Sequence, residues 1–168
     1  MEAVERLRDR CAEEIRRSLA LEQLDHATAR EAMLAALRFR AFPDALPLLR
    51  TLKARGLRVV AASNWDASLP EGLERAGLAP HLDGAVSSAV AGAAKPDPAV
   101  FRAALELAGC EPREAFHVGD SPQGDVEGAL DAGVRVALLD RHGVLPVPPP
   151  GVPKLSSLDE LPSVIWPA

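Results

Sequence analysis

The apolar positions of the chain follow two different patterns, one in its first forty residues and one beyond them. In the first part, Leu7, Cys11 and Ile15 recur every four residues with charged residues between them, which is typical of an amphipathic helix. The pattern predicts one helix over 1–20 and a second over 27–40. We expect these two helices to form a hairpin.

Beyond this hairpin, short apolar runs alternate with segments of helical spacing. A helix is predicted from Pro43 to the residue before Gly56, and the run 57–62 that follows it is typical of a parallel strand buried on both faces. Further strands are predicted at 84–88, 115–119 and 134–139, further helices at 69–76, 98–108, 124–132 and 157–165, and loops at 89–95 and 141–153. This alternation predicts an α/β fold with a doubly wound parallel sheet and helices on both faces.

Composition narrows the kinds of partner and compartment. The 168 residues carry a net charge of −5, so there is no basic surface of the kind that binds nucleic acid. No apolar run is long enough to span a bilayer, and the charged N-terminal residues do not resemble a signal peptide. Cys11 and Cys110 follow no metal-ligand spacing, and so few cysteines suggest reduced thiols in the cytoplasm.

The polar residues of chemical interest follow the predicted strands. Ser63 and Asn64 end the first run, Lys95 lies in the loop after the second, and Asp120 ends the third with Asp125 close behind it. The carboxyl ends of parallel strands share one edge of a sheet, where ligands of α/β proteins bind. We therefore expect these five side chains to converge.

Together these side chains suit phosphoryl transfer, which depends on positioning and on stabilising charge. A hydroxyl and an amide can hold phosphate oxygens, a lysine can neutralise charge, and two carboxylates can hold Mg²⁺. Each residue alone has a simpler explanation: a turn residue for Ser63 or Asn64, a solvated side chain for Lys95, and a helix N-cap for Asp125. Asp97 is predicted to be a helix N-cap and His117 to belong to the core or to support the site. The ordered combination is more specific than any single member.

Three segments carry a resemblance to a known family. From Phe42 to about Ile165 the chain resembles the haloacid dehalogenase superfamily of hydrolases, on the segments Ala62-Ser63-Asn64, Lys95-Pro96-Asp97-Pro98 and Gly119-Asp120-Ser121-Pro122-Gln123-Gly124-Asp125. The resemblance implies a Rossmann-type core. It further implies that Ser63 and Asn64 bind the transferring phosphoryl group, that Lys95 is catalytic and stabilises a charged intermediate, and that Asp120 and Asp125 position Mg²⁺. The spacing of the two aspartates is similar to that of the Mg²⁺-dependent phosphatase branch rather than the dehalogenase branch.

The chain also departs from the family. The family's first motif is Asp-x-Asp at the end of an N-terminal strand, where the first Asp is the nucleophile and the second is the general acid/base. No Asp-x-Asp occurs here, and Asp9, Asp25 and Asp44 lie in helical contexts that do not replace it. The two opening helices resemble the end of the family's helical cap. We therefore expect an N-terminally truncated member, with a cap remnant at 1–41 and the α/β core at 42–168.

The missing strand has a structural consequence. In the family it lies at the centre of the sheet, between the strands that here end at Ala62 and Gly119. Without it, these strands would pair directly, accept another segment between them, or leave backbone groups unpaired. We expect the isolated chain to be less stable than its length suggests.

Two functions remain open. One is Mg²⁺-dependent hydrolysis of a small phosphorylated metabolite through an aspartyl-phosphate, with the nucleophile absent, so that the chain as given is inactive. The other is a non-catalytic remnant that binds Mg²⁺ or phosphate weakly or serves as an interaction domain. A two-component receiver domain is rejected, because there the acidic residues precede the Lys-Pro pair, whereas here Asp120 follows Lys95.

Overall fold

The chain divides into two compact units. The computed structural model describes residues 2–36 and 39–167, and the units are Met1–Arg40 and Ala41–Ala168. The predicted boundary at 41/42 lies one residue further along. That the first unit derives from a cap stays a prediction.

The first unit is a helical hairpin of α1 (Glu2–Ser18) and α2 (His26–Ala36). Buried alanines on the two helices, Ala12 and Ala29, leave room for close packing. The second helix was predicted to continue to residue 40. It is described as far as Ala36, residues 37 and 38 lie outside the described ranges, and residues 39 and 40 are not helical.

The second unit alternates strands and helices, which confirms the predicted α/β class. Its elements are α3 (Ala45–Ala54), β1 (Val60–Ser63), α4 (Leu69–Arg75), β2 (Gly84–Ser87), α5 (Ser88–Ala91), α6 (Pro98–Ala108), β3 (Phe116–Gly119), α7 (Gly128–Asp131), β4 (Arg135–Leu139), β5 (Lys154–Leu155) and α8 (Leu161–Ile165). Every strand pairing is parallel. Within 2–36 and 39–167, no helix is both long enough and apolar enough to cross a membrane.

The strands form two separate sheets, and their gap lies where the missing strand was expected. β1 pairs with β2, while the other sheet has the order β3-β4-β5. No strand of the described chain pairs with the second edge of β1 or of β3, so these two strands do not pair with each other. All residues of both strands are only half-buried. The prediction that the first strand is buried on both faces is therefore wrong: side chains on both faces of β1 are only half-buried.

The core is centred on β4, which has a partner strand on each side. Its alternate side chains enter two clusters on opposite faces of the sheet, since successive residues of a strand point in opposite directions. Val136 and Leu138 pack with Phe101 and Val126 on one face. Ala137 packs with Leu48 and other apolar residues of α3, β5 and α8 on the other face.

Three local features differ from the sequence-based expectation. β1 begins at Val60 rather than at Leu57, because the Leu57 amide still donates to the Leu52 carbonyl and so completes the end of α3. The predicted helix at 124–132 begins instead with a π-helical turn, Pro122–Glu127, where the Val126 amide donates to the Ser121 carbonyl. The segment 89–95, predicted to be a loop, begins within α5. The predicted loop at 141–153 is followed by a short strand, β5, that was not predicted.

Candidate active site

Lys95 occupies the centre of the candidate site, at the carboxyl ends of β1 and β3. Its ammonium donates to the Asp125 carboxylate (Nζ to Oδ1, 2.5 Å) and to the backbone carbonyl of Ala62 in β1 (3.0 Å). The side chains of Lys95 and Asp125 are 9% and 5% exposed. An ammonium has three N–H groups, and two of them are used by these partners. Among the residues that the structure describes, no acceptor bonds to the third N–H, so it is available to an anion.

Asn64 holds the main chain of Lys95 in place. Its amide nitrogen donates to the Lys95 carbonyl (3.0 Å), and its amide oxygen accepts from the Lys95 N–H (2.7 Å). This two-point contact fixes the loop after α5 against the end of β1. Asn64 therefore positions Lys95 in this structure, and its contact with a phosphate oxygen stays a prediction.

The Asp125 carboxylate is buried and bonded from three directions. In addition to Lys95, the His117 ring bonds to it (Nε2 to Oδ1, 2.8 Å) and the Ser121 amide donates to Oδ2 (3.0 Å). Burial by itself would raise the pKa of this carboxyl, but the hydrogen bonds from His117 and Lys95 outweigh it. They hold the pKa of Asp125 well below its usual range, so the group is ionised at neutral pH.

Two glycines make room for this arrangement. A Cβ on Gly119 would lie 2.1 Å from the Asp125 carboxyl carbon, and a Cβ on Gly128 would lie 2.9 Å from the Pro96 Cα. Any larger residue at Gly119 would displace the carboxylate that Lys95 binds. The glycines therefore determine how closely the π-helical turn and α7 approach β3 and the Lys95 loop.

Ser63 and Asp120 lie at the strand ends with their side chains uncommitted. Ser63 follows Ala62 directly and is half-buried, whereas Asp120 follows Gly119 and is exposed. Neither side chain makes a hydrogen bond or an ion pair with the residues that the structure describes. Both are available to a ligand at the edge that Lys95 occupies.

The donor set is compatible with Mg²⁺ held largely by water and substrate. Asp120 is free, and Asp125 has about one lone pair left after accepting three hydrogen bonds. Mg²⁺ in phosphate-handling sites uses one or two carboxylates together with waters and phosphate oxygens. No group of three or more His, Cys, Asp or Glu side chains in the described ranges could hold a metal alone. The assignment of Asp120 and Asp125 to Mg²⁺ stays a prediction.

Comparison with known proteins identifies the family. The model for the haloacid dehalogenase-like hydrolases matches residues 2–133. The chain belongs to this family. The resemblance seen on the three sequence motifs is thereby confirmed. A phosphoserine phosphatase of Thermus thermophilus is 41% identical over 143 residues, which are 81% of this chain and 57% of that protein.

Solved structures of the family share the fold. An HAD phosphatase from Thermococcus onnurineus has a TM-score of 0.72 at 21% identity, covering 97% of this chain and 90% of that one. A 2-haloacid dehalogenase from Pseudomonas syringae has a TM-score of 0.71 at 30% identity, covering 83% of this chain and 60% of that one. The chain spans about half the length of the curated relatives that it matches.

Sequence reasoning missed the direct contact between His117 and Asp125. His117 and Gly119 are two residues apart on β3, so they lie on the same face of the strand. Gly119 immediately precedes Asp120, which was predicted to belong to the site. The alternation of faces along the strand is therefore the signal that could have placed His117 beside the site.

Proposed function

We propose that this chain supplies the catalytic lysine and the metal-binding carboxylates of a Mg²⁺-dependent phosphate monoester hydrolase. Its substrate is a small phosphorylated metabolite in the cytoplasm. The observation that carries the proposal is the buried Lys95–Asp125 pair, in which the ammonium also binds the Ala62 carbonyl at the end of β1, the strand end that Ser63 completes. The similarity to a phosphoserine phosphatase supports a phosphate ester as substrate. Free Cys11 and Cys110 are compatible with a reducing compartment.

Each residue has a distinct part in phosphate binding. The Lys95 ammonium offers its third N–H and its charge to a phosphate oxygen, and the Ser63 hydroxyl offers a further donor at the end of β1. Asn64 and Asp125 fix Lys95 from its main chain and from its ammonium. Mg²⁺, when bound by Asp120 with Asp125, would neutralise charge on the phosphoryl oxygens.

The nucleophile of an aspartyl-phosphate route is not among these residues. Asp125 is engaged by Lys95 and His117, and the sequence holds no Asp-x-Asp. We therefore propose that hydrolysis needs a carboxylate from outside this sequence, and that the chain as given binds phosphate without hydrolysing it.

Thermal unfolding in the presence of phosphate tests the proposal. A ligand that binds only the folded chain raises its melting temperature, by an amount corresponding to about 2.7 kcal/mol at a hundred times its Kd. We expect inorganic phosphate with Mg²⁺ to raise the melting temperature of the unmodified chain. Asp120→Asn should remove the part of the rise that depends on Mg²⁺, because it replaces the exposed carboxylate assigned to the metal.

A matched control separates the site from general charge effects. Asp131→Asn replaces an exposed carboxylate at the end of α7 and should leave the whole rise in place. A melting temperature that phosphate and Mg²⁺ leave unchanged in the unmodified chain would overturn the proposal. A Mg²⁺-dependent rise that survives in Asp120→Asn would show that the metal assignment is wrong.

A further inference from the structure

His117 is held rigidly beside the Asp125 carboxylate. Its position in β3 places the ring against the buried Phe101, whose ring lies 5.3 Å away, centroid to centroid, at an interplanar angle of 83°. This edge-to-face contact fixes the plane of the imidazole. Nε2 then lies 2.8 Å from Asp125 Oδ1, and the His117 side chain is 16% exposed.

The bond between His117 and Asp125 has a defined direction. The carboxylate is ionised beside the Lys95 ammonium, and an ionised carboxylate can only accept hydrogen bonds. Nε2 of His117 must therefore carry the hydrogen. A neutral His117 is consequently the Nε2–H tautomer.

Oδ1 of Asp125 thus accepts from two donors at once, Lys95 and His117. The Ser121 amide binds the other oxygen, so the carboxylate is fixed in its plane from both sides. A carboxylate shared in this way holds the ammonium in one orientation.

We propose that His117 is a positioning residue for phosphate binding: by donating from Nε2 to Asp125, it keeps the third N–H of Lys95 directed at the anion. This inference rests on the proposed function, because it assumes that Lys95 binds phosphate. His117 itself does not touch the anion. Its effect passes through Asp125 to Lys95.

The geometry predicts that the donor, rather than the bulk of the ring, is what matters. His117→Gln keeps an N–H donor of similar reach, whereas His117→Leu keeps apolar volume against Phe101 and removes the donor. Because His117→Leu removes a donor that fixes the carboxylate holding Lys95, we expect it to weaken phosphate binding about tenfold or more. We expect His117→Gln to stay within about threefold of the unmodified chain.

Calorimetric titration of the full chain with inorganic phosphate measures these affinities. The titration is done with and without Mg²⁺ on the unmodified chain, His117→Leu, His117→Gln and Lys95→Met. The combined variant Lys95→Met with His117→Leu completes a double-mutant cycle. If His117 acts through Lys95, replacing it should have no further effect once Lys95 is gone.

The outcomes separate this inference from the proposed function. An unmodified chain that does not bind phosphate overturns both. Binding that Lys95→Met weakens and His117→Leu leaves unchanged supports the proposed function and overturns the role of His117. Equal losses in His117→Leu and His117→Gln also overturn that role, because they would show an effect of packing alone.

Nuclear magnetic resonance of the unmodified chain gives a test that does not depend on the folding of any variant. We expect the ¹⁵N spectrum of His117 to show a hydrogen-bonded Nε2–H whose resonance shifts when phosphate is added. A neutral ring protonated at Nδ1 instead would overturn the inference, since Nε2 could not then donate to Asp125.

Discussion

Buried carboxylates in this protein are matched by donors from several directions. Removing a carboxylate from water costs several kcal/mol unless it is paired and hydrogen-bonded. Asp125 meets this condition with Lys95, His117 and the Ser121 amide. Asp140 meets it with Lys154 and with two backbone amides of the following loop. The first group shapes the candidate site, and the second fixes the loop that precedes β5.

At the residue scale, Gly119→Ala tests how tightly Asp125 is packed. The new Cβ would lie 2.1 Å from the carboxyl carbon, so the carboxylate must move away from Lys95. We expect a loss of about 1–3 kcal/mol in the free energy of unfolding, measured with urea, together with weaker phosphate binding. Gly72→Ala is the control, because its Cβ would meet only an ordinary contact at 3.9 Å with Trp65. Equal stability of the two variants would contradict the packing described here.

Single residues were predictable where their role is local. The Asp97 carboxylate accepts from the Ala99 amide and Pro98 opens α6, as the N-cap preference of Asp and the helix-opening preference of Pro predict. The partners of Asn64 and Asp125 depend on segments brought together by folding. The sequence shows that Lys95 and Asp125 are suitable chemical types, but the pairing between them appears only when the loop after α5 meets the π-helical turn.

At the element scale, Asp44 joins the start of α3 to the end of the chain. Arg141, just after β4, donates to both of its carboxylate oxygens (2.7 and 2.9 Å), and Ser157 Oγ and the Leu158 amide donate to Oδ2. The Arg141 guanidinium also lies over the Phe42 ring, 4.0 Å from its centroid. One buried carboxylate therefore links three segments that are distant in sequence.

This link should make stability depend on pH. Hydrogen bonds from Arg141 lower the pKa of Asp44 from 3.8 to about 2, so its ionised form stabilises the folded state. The contribution, on the order of 2 kcal/mol, is complete above the unfolded pKa and is lost as the pH falls through the folded value. In urea unfolding, we expect Asp44→Asn to be less stable than the unmodified chain at about pH 6, and the difference to shrink towards about pH 2.5.

The exposed Asp131→Asn variant serves as the control for this comparison, since surface changes usually alter stability by less than about 0.5 kcal/mol. A difference between Asp44→Asn and the unmodified chain that is equally large at both pH values would show that the effect is not ionisation of this carboxyl.

Elements were predictable from the sequence where their pattern is long or sharply bounded. The four longer strands and α6 lie close to their predicted positions, because each is an apolar run or a helical stripe between turn residues. β5 has only two residues and owes its conformation to pairing with Leu138 and Leu139, so no period marks it. The π-helical turn Pro122–Glu127 likewise has no period that marks it in the sequence, and it contains Asp125, which binds Lys95.

At the scale of the whole molecule, the separation of the two sheets is the main structural feature. α6 packs against β1 and β2 and also against α7, so it spans both sheets on one face. β1 and β3 nevertheless each have one edge without a strand partner in 2–36 or 39–167. At the end of β1, the Ala62 carbonyl accepts a hydrogen bond from the Lys95 ammonium.

Hydrogen exchange of backbone amides should reveal these edges. β4 has a partner on both sides and is largely buried, so its amides should exchange most slowly, through global unfolding. In β1 and β3, amides that point to the open edges should exchange fast, and those bonded to β2 and β4 should be protected.

Because β1 and β3 each lack hydrogen bonds along one edge, we expect the monomer to melt at low temperature. Uniform protection across β1 and β3, or a cooperative melt of the monomer at high temperature, would contradict this expectation and would mean that the gap between the sheets is closed in solution.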